Sequence, residues 1–278
     1  MRADSSHRGQ VFTTPWPGVH GTLIDSTRHY GRHWHTTFGF GLLERGAQRS
    51  ASGRGEVSAY AGDLITTNPG EVHDGRPLDG ASRRWRMVYL EPDAMAEVLA
   101  APAGAGEFTR PVLRDARLQR AVAALFDRLD GWRARGDDAA ALACDEALAH
   151  CCEMLLGGRA VASRSALPFA ELRAVRDRLA DAALEAPSLA VLAAQAGLSR
   201  YQLLRRFSAA FGLPPHAWLL QQRAERARRL IRGGASLALA AAEAGFADQS
   251  HLTRIFVRQF GYTPGAWQRA MAVPRALQ

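Results

Sequence analysis

One pattern occurs twice in the last third of this 278-residue chain. Ser188-Leu189-Ala190-Val191-Leu192-Ala193, Ala196-Gly197-Leu198, Leu203-x-Arg205-x-Phe207, Phe211-Gly212 and Pro215-x-Ala217-Trp218 make the first copy. Ser236-Leu237-Ala238-Leu239-Ala240-Ala241, Ala244-Gly245-Phe246, Leu252-x-Arg254-x-Phe256, Phe260-Gly261 and Pro264-x-Ala266-Trp267 make the second, offset by 48 residues in its first half and 49 in its second. Each copy reads as a short helix, a glycine turn and a second helix. That is the form of a helix-turn-helix, whose second helix can enter a major groove of double-stranded DNA.

The charge falls where such a reading needs it. The formal net charge is +8; residues 1–164 hold 20 Arg and 20 acidic residues, whereas residues 165–278 hold 15 Arg and 7 acidic ones, the whole excess. Arginines that only solubilise a surface would be spread evenly, so the clustering argues for a polyanionic partner. The polar start Met1-Arg2-Ala3-Asp4-Ser5-Ser6-His7 has no apolar signal segment, and no apolar run is long enough for a bilayer. The expectation is a cytoplasmic protein with no membrane partner. Cys144, Cys151 and Cys152 fit neither a zinc spacing nor a disulfide framework; helix packing outweighs redox sensing for them.

From about Val11 to Leu90 the signals are short strands and turns. Phe38-Gly39-Phe40-Gly41-Leu42-Leu43-Glu44 and Trp85-Arg86-Met87-Val88-Tyr89-Leu90 are β-prone, and Gly53-Arg54-Gly55, Ala61-Gly62-Asp63 and Asn68-Pro69-Gly70 punctuate the stretch, as in a small barrel or sandwich. Between Asp115 and Leu156 the period becomes helical, with Leu118, Val122, Leu125 and Leu129, then Leu142, Leu148 and Leu155; Gly131 and Gly136 are expected to separate two helices. Their apolar stripe must be buried on the strands or on a second subunit. Gly157 to Ser165 has linker composition.

The expected class is therefore an α+β multidomain chain: a β-barrel over 1–112, a helical linker or dimerisation segment over 113–164, and an all-α domain over 165–278 with two helix-turn-helix units. A helix carrying Leu172, Val175 and Leu179 opens the last domain, and His216 to Ile231 forms one rod between the units.

In the reading helices Leu203, Phe207, Leu252 and Phe256 are core, capped at Ser199 in the first. The DNA-binding candidates are Ser199, Arg200, Tyr201, Gln202, Arg205 and Arg206 in the first and Gln249, Ser250, His251, Arg254 and Arg258 in the second. Arginine suits guanine and glutamine adenine, while Arg258, one turn beyond Arg254, suits a phosphate. Thr263 before Pro264 is a second anion cue at a helix start; the first copy has Leu213-Pro214-Pro215 there.

The run Ala244-Gly245-Phe246-Ala247-Asp248-Gln249-Ser250-His251-Leu252-Thr253-Arg254-Ile255-Phe256, with Phe260-Gly261-Tyr262-Thr263-Pro264, resembles the signature of the AraC/XylS family of bacterial transcription regulators over roughly residues 168–270. The resemblance implies a seven-helix domain that sets two reading helices into successive major grooves. Carried over by position, it points to Tyr201 and Arg205 and to Ser250, His251 and Arg254. Leu204 stands where related proteins often have a polar base-contacting residue, so first-helix specificity departs from the pattern.

His33-Trp34-His35 and Gly62-Asp63-Leu64-Ile65-Thr66-Thr67-Asn68-Pro69-Gly70-Glu71-Val72-His73-Asp74-Gly75 resemble the cupin-like ligand-binding domain that precedes the reader in many such regulators. A His-x-His pair on a strand plus a third histidine invites a metal. Metal cupins add a glutamate about four residues on; here Thr36-Thr37-Phe38-Gly39 stand there and Glu44 lies nine beyond His35. No metal and no cofactor is expected, and His33, His35 and His73, with Arg84 and Arg86 beside Trp85, are candidates for binding a small-molecule effector. The function expected is an effector-controlled, sequence-specific regulator, an activator acting as a homodimer with RNA polymerase as a further partner, and not an enzyme. The alternative is a metal-dependent cupin enzyme fused to a DNA-binding domain.

Overall fold

Phe38, Phe40 and Leu42 alternate with Gly39 and Gly41 along strand β4 (Phe38–Arg45), and every residue from Phe38 to Leu43 is buried. In a strand successive side chains point to opposite faces. One face of β4 therefore carries Phe38, Phe40 and Leu42, and the other Gly39, Gly41 and Leu43.

The computed structural model describes residues 7–78, 80–99, 106–136, 138–156, 170–181 and 186–271. These form two compact units, one from Met1–His29 and His35–Ser163, the other from Tyr30–Trp34 and Arg164–Gln278. The expected linker, Gly157 to Ser165, lies outside the described residues.

In the N-terminal unit the strands are β1 (His7–Thr13), β2 (Val19–Ser26), β4, β5 (Ala47–Ser52), β6 (Gly55–Tyr60), β7 (Leu64–Thr67), β8 (His73–Pro77), β9 (Arg83–Leu90) and β10 (Val112–Leu113); β3 (Tyr30–His33) belongs to the other unit. One sheet runs β1-β2-β9-β4-β7-β10, antiparallel throughout, and β8, β5 and β6 lie side by side in a second. The apolar face of the first sheet (Val19, Phe38, Phe40, Leu42, Val88, Leu90) shares one core with helices α1 (Pro92–Val98), α2 (Ala116–Arg135) and α3 (Asp138–Leu156). Leu118, Val122, Leu125 and Leu129 all enter it, so the helical stripe is buried on the strands of its own chain. Each fully buried residue of that size contributes about 1.5–3 kcal/mol of burial.

Two details differ from the periodicity. Gly131 lies inside α2, and only Gly136 ends it, in the left-handed conformation at φ 69°. Leu142 is exposed while Cys144, Leu148, Cys151 and Cys152 are buried, so the inward stripe of α3 begins at the cysteine. Burial alone pushes the Cys151 thiol up to about 12.

The C-terminal unit contains seven helices among the described residues: α4 (Ala170–Asp181), α5 (Leu189–Gln195), α6 (Arg200–Phe211), α7 (Pro215–Arg232), α8 (Leu237–Glu243), α9 (Gln249–Phe260) and α10 (Pro264–Met271). Helix α7, about 27 Å long at 1.5 Å per residue, packs against α4, α6, α8, α9 and α10. Its buried residues include an ion pair, Arg228 Nε to Glu225 Oε2 at 3.0 Å.

Candidate nucleic-acid interface and effector site

Helices α6 and α9 are built alike. Ser199 caps α6 by accepting from the Gln202 amide, and the Gln202 side chain accepts in return from the Ser199 amide, a complete capping box. Asp248, at the equivalent place, caps α9 by accepting from the His251 amide at 2.6 Å. Both helices end at a left-handed glycine, Gly212 (φ 73°) and Gly261 (φ 79°). Leu203, Phe207, Leu252 and Phe256 are fully buried, which fixes the rotation of each helix and turns the residues between them outward.

Arg205, Arg206, Arg254 and Arg258 are exposed, as are Gln249 and Ser250, and among the described residues those four arginines form no ion pair. Elsewhere in the unit Arg176 pairs with Asp177 and Arg228 with Glu225. The reading faces thus present unneutralised guanidinium groups, which suits a polyanion. The capping box engages the Gln202 amide oxygen, so a bidentate grip on adenine would have to open it. His251 is half-buried, its ring edge-on to Phe246 at 5.2 Å. The side chains of Arg200 and Tyr201 lie outside the described residues. Thr263 accepts from the Ala266 amide at 3.0 Å and caps α10, whereas Pro214 precedes α7 with no side-chain cap.

In the N-terminal unit the strand register lines up Thr13, His20, Tyr89, Gly39 and Thr67 as one row across β1, β2, β9, β4 and β7. Their side chains share the sheet face opposite the helices. The His20 and Tyr89 rings stack at 5.2 Å and 18°, His35 lies 5.5 Å from Tyr89, and His73 lies 5.3 Å from His35. A Cβ on Gly39 would fall 2.6 Å from Thr67 Oγ1 and 2.8 Å from the Tyr89 ring, so glycine is what lets those two side chains close over β4. The hydroxyls of Thr67 and of Thr22, the latter two positions along β2 from His20, are buried with no partner among the described residues. Desolvation by burial holds the His73 pKa below its ordinary 6.5, against the opposing pull of the Glu71 carbonyl and of the Glu71 and Asp74 charges.

The candidate arginines divide by strand parity. Arg84 and Arg86 project from the face opposite Tyr89: Arg84 pairs with Glu44 at 2.8 Å, and Arg86 with Asp130, its guanidinium 4.7 Å from the Phe126 ring. Arg83, in phase with Tyr89, is buried and donates to Gln48 Oε1, Arg28 O and Gly75 O. Of the histidines, His35 and His73 meet inside this unit; His33 is counted with the C-terminal unit, its Nδ1 2.7 Å from Gly31 O. Nothing local in the sequence marks His20, Tyr89, Thr22 or Thr67. Asp248 carries a legible signal, an N-cap residue type directly before a helix.

Residues 19–150 match the family described as AraC-like ligand binding domain, and residues 192–270 match the helix-turn-helix domain family. The chain belongs to the AraC family of transcription regulators. This AraC-family chain has a ligand-binding N-terminal domain and a helix-turn-helix DNA-binding domain. It is 28% identical over 229 residues to the uncharacterized HTH-type transcriptional regulator YbfI of Bacillus subtilis, across 80% of this chain and 81% of that one. It is 38% identical over 101 residues to the transcriptional activator NphR of Rhodococcus sp., across 36% of this chain and 29% of NphR. Unsaturated fatty acid-bound ToxT of Vibrio cholerae shares the fold at a TM-score of 0.51 and 10% identity, with 98% of each chain covered. Among the described residues of the AraC-family chain no helix is long and apolar enough to cross a membrane.

Proposed function

We propose that this regulator reads two successive major grooves of double-stranded DNA with α6 and α9, under the control of a small molecule held on the polar face of its N-terminal sheet. One observation carries the DNA reading: Arg205 and Arg254 recur at the same place of two equally built helices, both exposed and neither ion-paired among the described residues. Arg205 and Arg254 contact bases or adjacent phosphates, with Arg206, Gln249, Ser250, His251 and Arg258 around them, and Thr263 and Pro264 hold a helix start against the backbone. Ser199 and Gln202 act first as the cap of the first reader.

The effector residues are His35 and His73 with His20, Tyr89 and Thr67, whose hydroxyl, phenol and imidazole groups can bond a polar ligand. Arg84 and Arg86, on the opposite face, serve the sheet-to-helix packing and its rim. Effector binding would shift the population of reading-competent arrangements toward activation. The working species is a homodimer that contacts RNA polymerase, and the reading assigns the chain no catalysis.

Selection of the full-length chain against a random duplex library tests this. The expected product is a bipartite consensus with half-sites about one helical turn apart, or about 10 base pairs. A single uninterrupted site, or enrichment without sequence preference, would overturn it.

A further inference from the structure

The two copies of the motif differ in how their aromatic floors are completed. In the second, Phe256 and Phe260 pack at 4.5 Å, Tyr262 stacks on Trp267 at 6.0 Å and 22°, and Arg228 covers both Phe260 and Trp267 at 5.3 and 5.2 Å. The Trp267 indole also donates to Arg228 O at 3.0 Å. In the first, Phe207 and Phe211 pack at 4.6 Å and Phe207 meets Trp218 edge-on, but Leu213 stands where the second copy has Tyr262.

The missing ring comes from elsewhere in the chain. Trp34, from the Tyr30–Trp34 segment of the same unit, lies 6.2 Å from Trp218 at 35° and is 6% exposed. Its carbonyl accepts from the buried Gln221 side chain on α7, and Arg32 donates to the carbonyl of Gly212, the residue that ends α6. The Trp34 Nε1 is buried with no acceptor among the described residues, so this docking is not saturated as that of Trp267 is.

We infer that Trp34 is a positioning residue of the first reader: it supplies to Trp218 the ring contact that Tyr262 supplies to Trp267. The second motif supplies all the rings of its own floor, with Arg228 of α7 over them and strand β3 packed on α9, whereas the floor of the first takes one ring from residue 34. The next residue, His35, is counted with the N-terminal unit. The inference rests on the reading that both helices bind DNA and adds that the first needs a ring from outside its motif.

The test uses the full-length chain and the bipartite site selected from random duplexes, each half assigned to its reader by its sensitivity to Arg205→Ala or Arg254→Ala. If neither arginine variant assigns a half, it is the DNA reading itself that has failed. Given the assignment, Trp34→Ala is expected to lower affinity roughly tenfold, the scale of one aromatic pair, with hydroxyl-radical protection lost over the first reader's half and kept over the second's. Trp34→Phe should retain binding, and Leu213→Tyr added to Trp34→Ala should restore it by supplying the ring within the motif. Equal loss over both halves, no loss, or failure of Leu213→Tyr to restore the first half would overturn the inference.

Discussion

Arg228 and Trp267 are joined twice: the guanidinium lies 5.2 Å from the indole ring, and the indole nitrogen donates to the Arg228 carbonyl at 3.0 Å. Arg228 is also half of a buried ion pair with Glu225, their side chains 6% and 1% exposed. Burial pushes the neighbouring Tyr262 phenol up to about 12. One α7 residue thereby ties the rod to the helix that follows the second reader.

Arg228→Ala is expected to destabilise the chain by about 3–5 kcal/mol, because the buried Glu225 carboxylate loses the guanidinium it is paired with. The double variant Glu225→Gln, Arg228→Met should cost less than Arg228→Ala alone. Urea unfolding of the three proteins checks this, and equal losses would show that packing rather than the broken ion pair sets the cost.

Asp248→Ala removes the cap of the second reader and should cost about 0.5–2 kcal/mol, while Asp248→Asn keeps the accepting oxygen and should cost little. Thermal melts of the two variants separate these outcomes. Equal destabilisation by both would mean that the charge, not the cap, matters.

His73 titrates below 6.5 in the folded chain, chiefly because burial disfavours the imidazolium. Below pH 6.5 the unfolded chain takes up this proton before the folded one does, so the stabilisation is fully present above 6.5 and is lost as the pH falls toward the folded value. His73→Gln should therefore flatten the fall in unfolding free energy between about pH 7 and pH 5. An unchanged slope in denaturant titrations at those two values would contradict it.

Local order carried most of what could be read in advance. The caps at Ser188 and Ser199, the rod of α7 and the strands around Phe38–Leu43 and Trp85–Leu90 follow from residue type and period, which the chain displays within a few residues. What depended on pairing was not legible. Alternation along β9 separates Arg83 from Arg84 and Arg86 in any register, but only pairing with β2 and β4 decides which set shares the polar face. His20 and Tyr89 are unremarkable until the register sets them side by side. Trp34 joins Trp218 across 184 residues of sequence, and nothing local to either marks that contact.

The central claim is that two equivalent arginines on α6 and α9 read DNA. It is tested most directly by measuring, at fixed salt, the affinity of the wild-type chain, Arg205→Ala and Arg254→Ala for the selected duplex and for versions altered one base pair at a time. The account predicts that Arg254→Ala weakens binding by about 1–3 kcal/mol and loses discrimination at one base pair, with Arg205→Ala doing the same in the other half-site. Unchanged affinity and an unchanged base preference in both variants would contradict it.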